Sequence, residues 1–106
     1  MAWVWIGIAG LLEIGWAIGL KYLDGVNRPW LALGTGAAML ASFWCLAQGL
    51  KQIPLGTGYA VWTGIGAVGT AVLGIALFAE SADWPRLACI GLIVCGIVGL
   101  KVTSAV

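Results

Sequence analysis

Four long apolar stretches run along this chain, parted by three short polar breaks. The first break holds Lys21, Asp24, Asn27, Arg28 and Pro29, with Gly25 and Pro29 as turn signals. The second holds Lys51, Gln52 and Pro54, and the third Glu80, Ser81, Asp83 and Pro85. Pro85 suits the first turn of a following helix. The stretches are continuously apolar and lack period-two alternation, which favours helices over the strands of a barrel. Helices are therefore predicted over about 2–20, 30–50, 57–79 and 86–102, each close to the roughly 20 apolar residues that a bilayer crossing needs. The expected fold is all-α, with four transmembrane helices in one domain over residues 1–106. Only a short stub, Thr103 to Val106, follows the last of them.

Composition agrees with lipid as the solvent. Apolar residues make up 62% of the 106 and charged residues 8%, where a soluble domain carries about 25% charge. The mean hydropathy is +1.07. The net charge of +1 comes without any basic run, so nucleic acid is not an expected partner. Histidine is absent, and Cys45, Cys89 and Cys95 all fall in apolar stretches without metal-ligand spacing. They read as small apolar fillers, and no metal or cofactor is expected. No catalytic constellation stands out, so any activity resides in the helices and is not enzymatic. The apolar start lacks a basic lead-in and is interrupted by Glu13, so a cleaved signal is not expected.

Trp3, Trp5, Trp30 and Trp84 lie near the predicted span ends, where tryptophan anchors at the membrane–water interface. Trp16, Trp44 and Trp62 lie deeper and need another account. Antiparallel spans put Lys51 and Lys101 on the side of the N-terminus and Lys21, Arg28 and Arg86 on the other. Orientation follows Lys/Arg asymmetry, and this chain has almost none. Insertion in both directions, and with it an antiparallel, dual-topology homodimer, is the expectation.

Glu13 lies about eleven residues into the first span, roughly 16 Å from the surface and near the middle of a core about 30 Å thick. An ionisable residue there is expensive and marks a functional site by default. Desolvation disfavours the charged form, so this carboxylate is expected to load and release protons. The competing reading is a protonated glutamate that clasps two helices. At helical spacing Ala9, Gly10, Glu13, Trp16 and Ala17 share a face. In the second span Thr35, Ala38, Met39, Ser42 and Cys45 do so, and in the third Tyr59, Trp62, Thr63 and Gly66. A carboxylate, hydroxyls and aromatic walls together suit an organic cation. Simple packing of the aromatics and an interhelical bond from Ser42 remain the plainer alternatives.

Glycine accounts for 17 residues. Gly64-Ile65-Gly66 is either a weak point where the third span bends or a place of close helix contact. Gly91, Cys95 and Gly99 recur every four residues in the fourth span, a small-xxx-small face that suits dimer packing. Lys101, at the exit of that span, either snorkels to the headgroups or joins the polar network around Glu13.

The sequence resembles the small multidrug resistance transporters over essentially its full length, and among them the guanidinium exporter subtype. The resemblance is carried by Gly10-Leu11-Leu12-Glu13 with Trp16, by Ala17-Ile18-Gly19-Leu20-Lys21-Tyr22, by Gly96-Ile97-Val98-Gly99-Leu100-Lys101 and above all by the run from Pro54 through Tyr59 and Trp62 to Ala67. Gly58 stands where another small residue, such as alanine, is expected. The resemblance implies a multi-pass protein of the bacterial inner membrane, working as an antiparallel homodimer. It implies that protons and a guanidinium-type cation bind Glu13 in turn, with Gly10, Trp16, Ser42, Tyr59, Trp62 and Lys101 around it. Two other functions stay open: export of quaternary ammonium compounds, and a non-transporting membrane subunit that partners another protein.

Overall fold

The computed structural model describes residues 1–22 and 29–103. It contains α1 (Ala2–Tyr22), α2 (Pro29–Gly49), α3 (Leu55–Phe78) and α4 (Trp84–Thr103). Each is long and apolar enough to cross a membrane. The polar positions expected at Asp24, Gly25, Asn27 and Arg28, and the stub beyond Thr103, lie outside the described residues.

The helix ends follow from local chemistry. Proline fixes its own φ and favours extended backbone before a helix, and Pro54 stands at φ −55°, ψ 143° ahead of α3. Its carbonyl accepts the Gly58 N–H at 2.9 Å, so α3 starts at Leu55, two residues before the expected Thr57. At the other end Ala79 turns left-handed at φ 55°, and the Glu80 N–H donates to the Gly74 carbonyl at 3.3 Å. The Ala79 N–H donates to the same carbonyl, a six-to-one bond that closes the helix. α4 then begins at Trp84 with Pro85 in its first turn, and the Asp83 carbonyl accepts the Leu87 N–H at 3.1 Å.

α1 is the hub and packs on both α2 and α3, whereas the backbone of α4 approaches only α3 among the described elements. Between helices in lipid there is little hydrophobic driving force, and small residues gain contact by letting backbones close in. The α1–α3 seam is built this way: a Cβ at Gly10 would lie 2.8 Å from Ile65 Cβ, and one at Gly69 would run into Ile14. The buried core is Ala2, Ile6, Ala9, Cys45, Leu46, Ile53, Val61 and Trp62. All of it lies toward the beginning of α1 and the α2–α3 connection. Gly49 rests on Ile6 there, and a Cβ on it would come 3.1 Å from the Ala2 carbonyl oxygen. Large apolar side chains such as Leu11, Leu40 and Leu92 point outward, as lipid-facing residues do. No residue of α4 is buried.

Candidate functional site

The site is assembled around two turns of α1. Ser42 of α2 is fully buried, and its hydroxyl donates to the Ala9 carbonyl at 2.7 Å. The same oxygen accepts the Trp62 indole N–H at 3.0 Å. One hydroxyl thus joins α1, α2 and α3. A buried hydroxyl in lipid needs such partners, because no water is at hand to replace them.

Glu13 sits one turn further along α1. Its carboxylate packs on Gly66 of α3: a Cβ there would meet Glu13 Oε1 and lie 2.7 Å from Glu13 Cγ. Glu13 Oε1 is buried without a hydrogen-bond partner among the described residues, as is Trp16 Nε1. The expectation that Trp16, Ser42, Tyr59 and Trp62 surround Glu13 therefore takes a different form. Trp62 donates to Ser42 and Ser42 to the α1 backbone, and neither bonds to Glu13 Oε1 or Trp16 Nε1.

Aromatic rings form a wall. Trp16 meets Phe43 edge-on at 6.3 Å between centroids, Phe43 meets Trp62 at 5.8 Å, and Trp62 meets Tyr59 at 5.4 Å. Phe43 is the member that sequence reasoning missed. It is adjacent to Ser42 and so falls off the helical face chosen for α2. Trp44, unassigned from the sequence, packs edge-on against Trp5 at 5.3 Å. Tyr59 and Thr63 are exposed, whereas Gly10 is buried beside Ile65.

Other expected members lie elsewhere. Lys101 Nζ stands 4.9 Å from the centre of the Trp3 ring, at the start of α1 and about 15 Å of helix away from Glu13. α3 is unbroken through Gly64 and Gly66, and both are buried contact points. A Cβ on Gly64 would lie 2.9 Å from Ile97 Cδ1 of α4. Gly91 and Gly99 of α4 have nothing within 4 Å of a built Cβ, and Cys95 is exposed. Among the described residues no cluster of His, Cys, Asp or Glu could hold a metal ion.

Beyond Glu13 a cavity of about 370 Å³ lies between α1, α3 and the start of α4. Ala17 and Ala67 line its inner end, Thr70 its wall, and Lys21, Glu80 and Arg86 its mouth. Arg86 Nη2 donates to Glu80 Oε1 at 2.7 Å.

A sequence model described as Small Multidrug Resistance protein matches residues 1–93. The chain belongs to the small multidrug resistance family. It is 57% identical over 54 residues to a guanidinium exporter of Yersinia pseudotuberculosis, covering 51% of this chain and 52% of the relative. It is 53% identical over 55 residues to the guanidinium exporter of Escherichia coli K12, covering 52% of each. With the guanidinium exporter of Proteus vulgaris it shares 51% over 54 residues. The chain spans about half the length of the relatives it matches. Family membership and four apolar spans make this small multidrug resistance protein a multi-pass protein of the bacterial inner membrane.

Proposed function

We propose that this small multidrug resistance protein is an antiporter that exports guanidinium or guanidinyl compounds in exchange for protons. The observation that carries the reading is the carboxylate oxygen of Glu13, which has no hydrogen-bond partner among the described residues and is buried mid-span against Gly66 beside an aromatic wall. A guanidinium ion is planar and offers paired N–H donors that a carboxylate accepts as a fork. Aromatic faces add cation–π attraction. The names of the half-length matches support the same substrate class.

The mechanism is competition for one site. A protonated Glu13 cannot pair with a cation, and a bound cation favours the deprotonated form. Each ligand expels the other, so a proton gradient drives export when access changes only in the loaded states. The working unit is an antiparallel homodimer, supported by the near-equal Lys/Arg distribution and by the uncovered Gly91–Cys95–Gly99 face of α4. Two Glu13 side chains then share one cavity and titrate as a coupled pair. In proteoliposomes, a guanidinium gradient is expected to drive a proton-coupled current. Absence of that current sinks the reading, and a current carried only by quaternary ammonium ions reassigns the substrate.

A further inference from the structure

The cavity beyond Glu13 is not used by that mechanism, and its lining has a definite chemical order. Its inner wall is apolar, with Ala17, Ile18 and Ala67. Among the described residues its mouth carries two cations, Lys21 and Arg86, against one carboxylate, Glu80. Between the two levels lies Thr70. The hydroxyl oxygen of Thr70 is buried and has no hydrogen-bond partner among the described residues. A threonine in a helix ordinarily turns its hydroxyl back to the carbonyl one turn earlier. Thr103 does this, donating to the Gly99 carbonyl at 2.7 Å. Thr70 does not, so its hydroxyl remains able to serve a ligand.

We infer that this cavity binds an anionic phospholipid, with the phosphate between Lys21 and Arg86, an ester carbonyl at Thr70 and an acyl chain along α1 and α3. Three features point the same way. The mouth lies at the ends of α1 and α3, where span length puts the headgroup layer, and basic pockets between membrane helices select anionic lipids there. The Glu80 side chain folds over Gly74, one turn (about 6 Å) from Thr70. That is the reach of a glycerol unit, which in a phospholipid separates phosphate from ester carbonyl. Finally, the Lys21 ammonium rests 5.7 Å from the Phe78 ring centre, and among the described residues Arg86 pairs only with Glu80. Exposed pairs of that kind are weak, so a phosphate diester can displace Glu80 from Arg86.

The test is native mass spectrometry of the purified full chain in detergent, with phosphatidylglycerol and phosphatidylcholine of the same acyl chains at equal concentration. The expected result is one phosphatidylglycerol retained per protomer, at least tenfold in preference to phosphatidylcholine. Lys21→Gln with Arg86→Gln cuts that preference at least fivefold, whereas Lys51→Gln at the opposite end leaves it unchanged. Glu80→Gln, which releases Arg86, raises retention about threefold, and Thr70→Val lowers it by a similar factor. A merely structural role for these groups would not make the Glu80 and Arg86 variants move in opposite directions. Equal retention by the parent and the double variant overturns the inference. So does an equal loss in Lys51→Gln, which would mean unspecific attraction. Displacement of the lipid by millimolar inorganic phosphate identifies a soluble-anion site instead. Retention by monomers but not by dimers assigns the cavity to a second copy of the chain.

Discussion

The two ends of this bundle are built on different rules. At the end that holds the start of α1, Ile6, Leu46, Ile53 and Val61 close around small residues, and Ser42 satisfies the one buried indole that faces it. At the other end the same helices part around a cavity, and among the described residues three charged side chains ring its mouth and the Thr70 hydroxyl has no hydrogen-bond partner. Glu13 stands at the border. The packed half fixes the aromatic wall, and the open half begins one turn beyond the carboxylate, at Ala17.

Breaking the border itself is expected to have the largest effect. Glu13→Gln keeps the shape and removes the titrating charge, so guanidinium-driven current falls to that of protein-free liposomes while the protein still purifies as a folded species. Current that persists in this variant removes Glu13 from the mechanism even if export stands. Next comes the packed end. Ile6→Ala opens a hole in the best-filled part of the core and is expected to destabilise by about 2–5 kcal/mol, read from unfolding in mixed micelles. The matching change at the open end, Ile18→Ala, is expected to cost clearly less, since Ile18 already borders empty space. Ser42→Ala leaves the Trp62 indole buried and unpaired at a cost of about 1–3 kcal/mol, and weakens guanidinium binding by loosening the wall. Gly66→Ala sets a methyl against the Glu13 carboxylate; an affinity loss of about tenfold, or about 1.4 kcal/mol, is expected in a binding titration. The smallest effect belongs to Lys101→Met. It removes an exposed cation–π contact to Trp3 worth about 0.5–1 kcal/mol, and transport is expected to stay near the parent rate. A complete loss of transport would instead place Lys101 in the working network.

Much of this was legible in the sequence because membrane helices obey strong one-dimensional rules. Uninterrupted apolar length and polar breaks located all four helices within a few residues, and the cost of burying a charge singled out Glu13. The run from Pro54 to Ala67 carried the family. What the sequence did not give is lateral reach. Phe43 lies off the polar face of α2 by helical spacing, yet its large ring spans the gap between Trp16 and Trp62. Thr70 was one turn beyond Gly66 on the stripe already drawn through Tyr59 and Trp62, and extending that stripe would have found it. The place of Lys101 near a span end leaves open whether it snorkels or joins the network around Glu13, and its contact with Trp3 depends on how α4 is set beside the rest of the bundle. No periodicity within a single helix encodes that.

The bond from Ser42 to the Ala9 carbonyl has a consequence for how the protein is made. It joins the first two helices across a sequence separation of 33 residues and needs nothing from α4. Together with Ile6 over Gly49 it lets the nascent chain lock its first hairpin while the later spans are still being synthesised. α4, with no buried residue, is then the last to arrive and the easiest to leave. A product that ends before α4 would still hold the Ser42–Ala9 bond, with Gly64 of α3 left uncovered where Ile97 packs in the full chain.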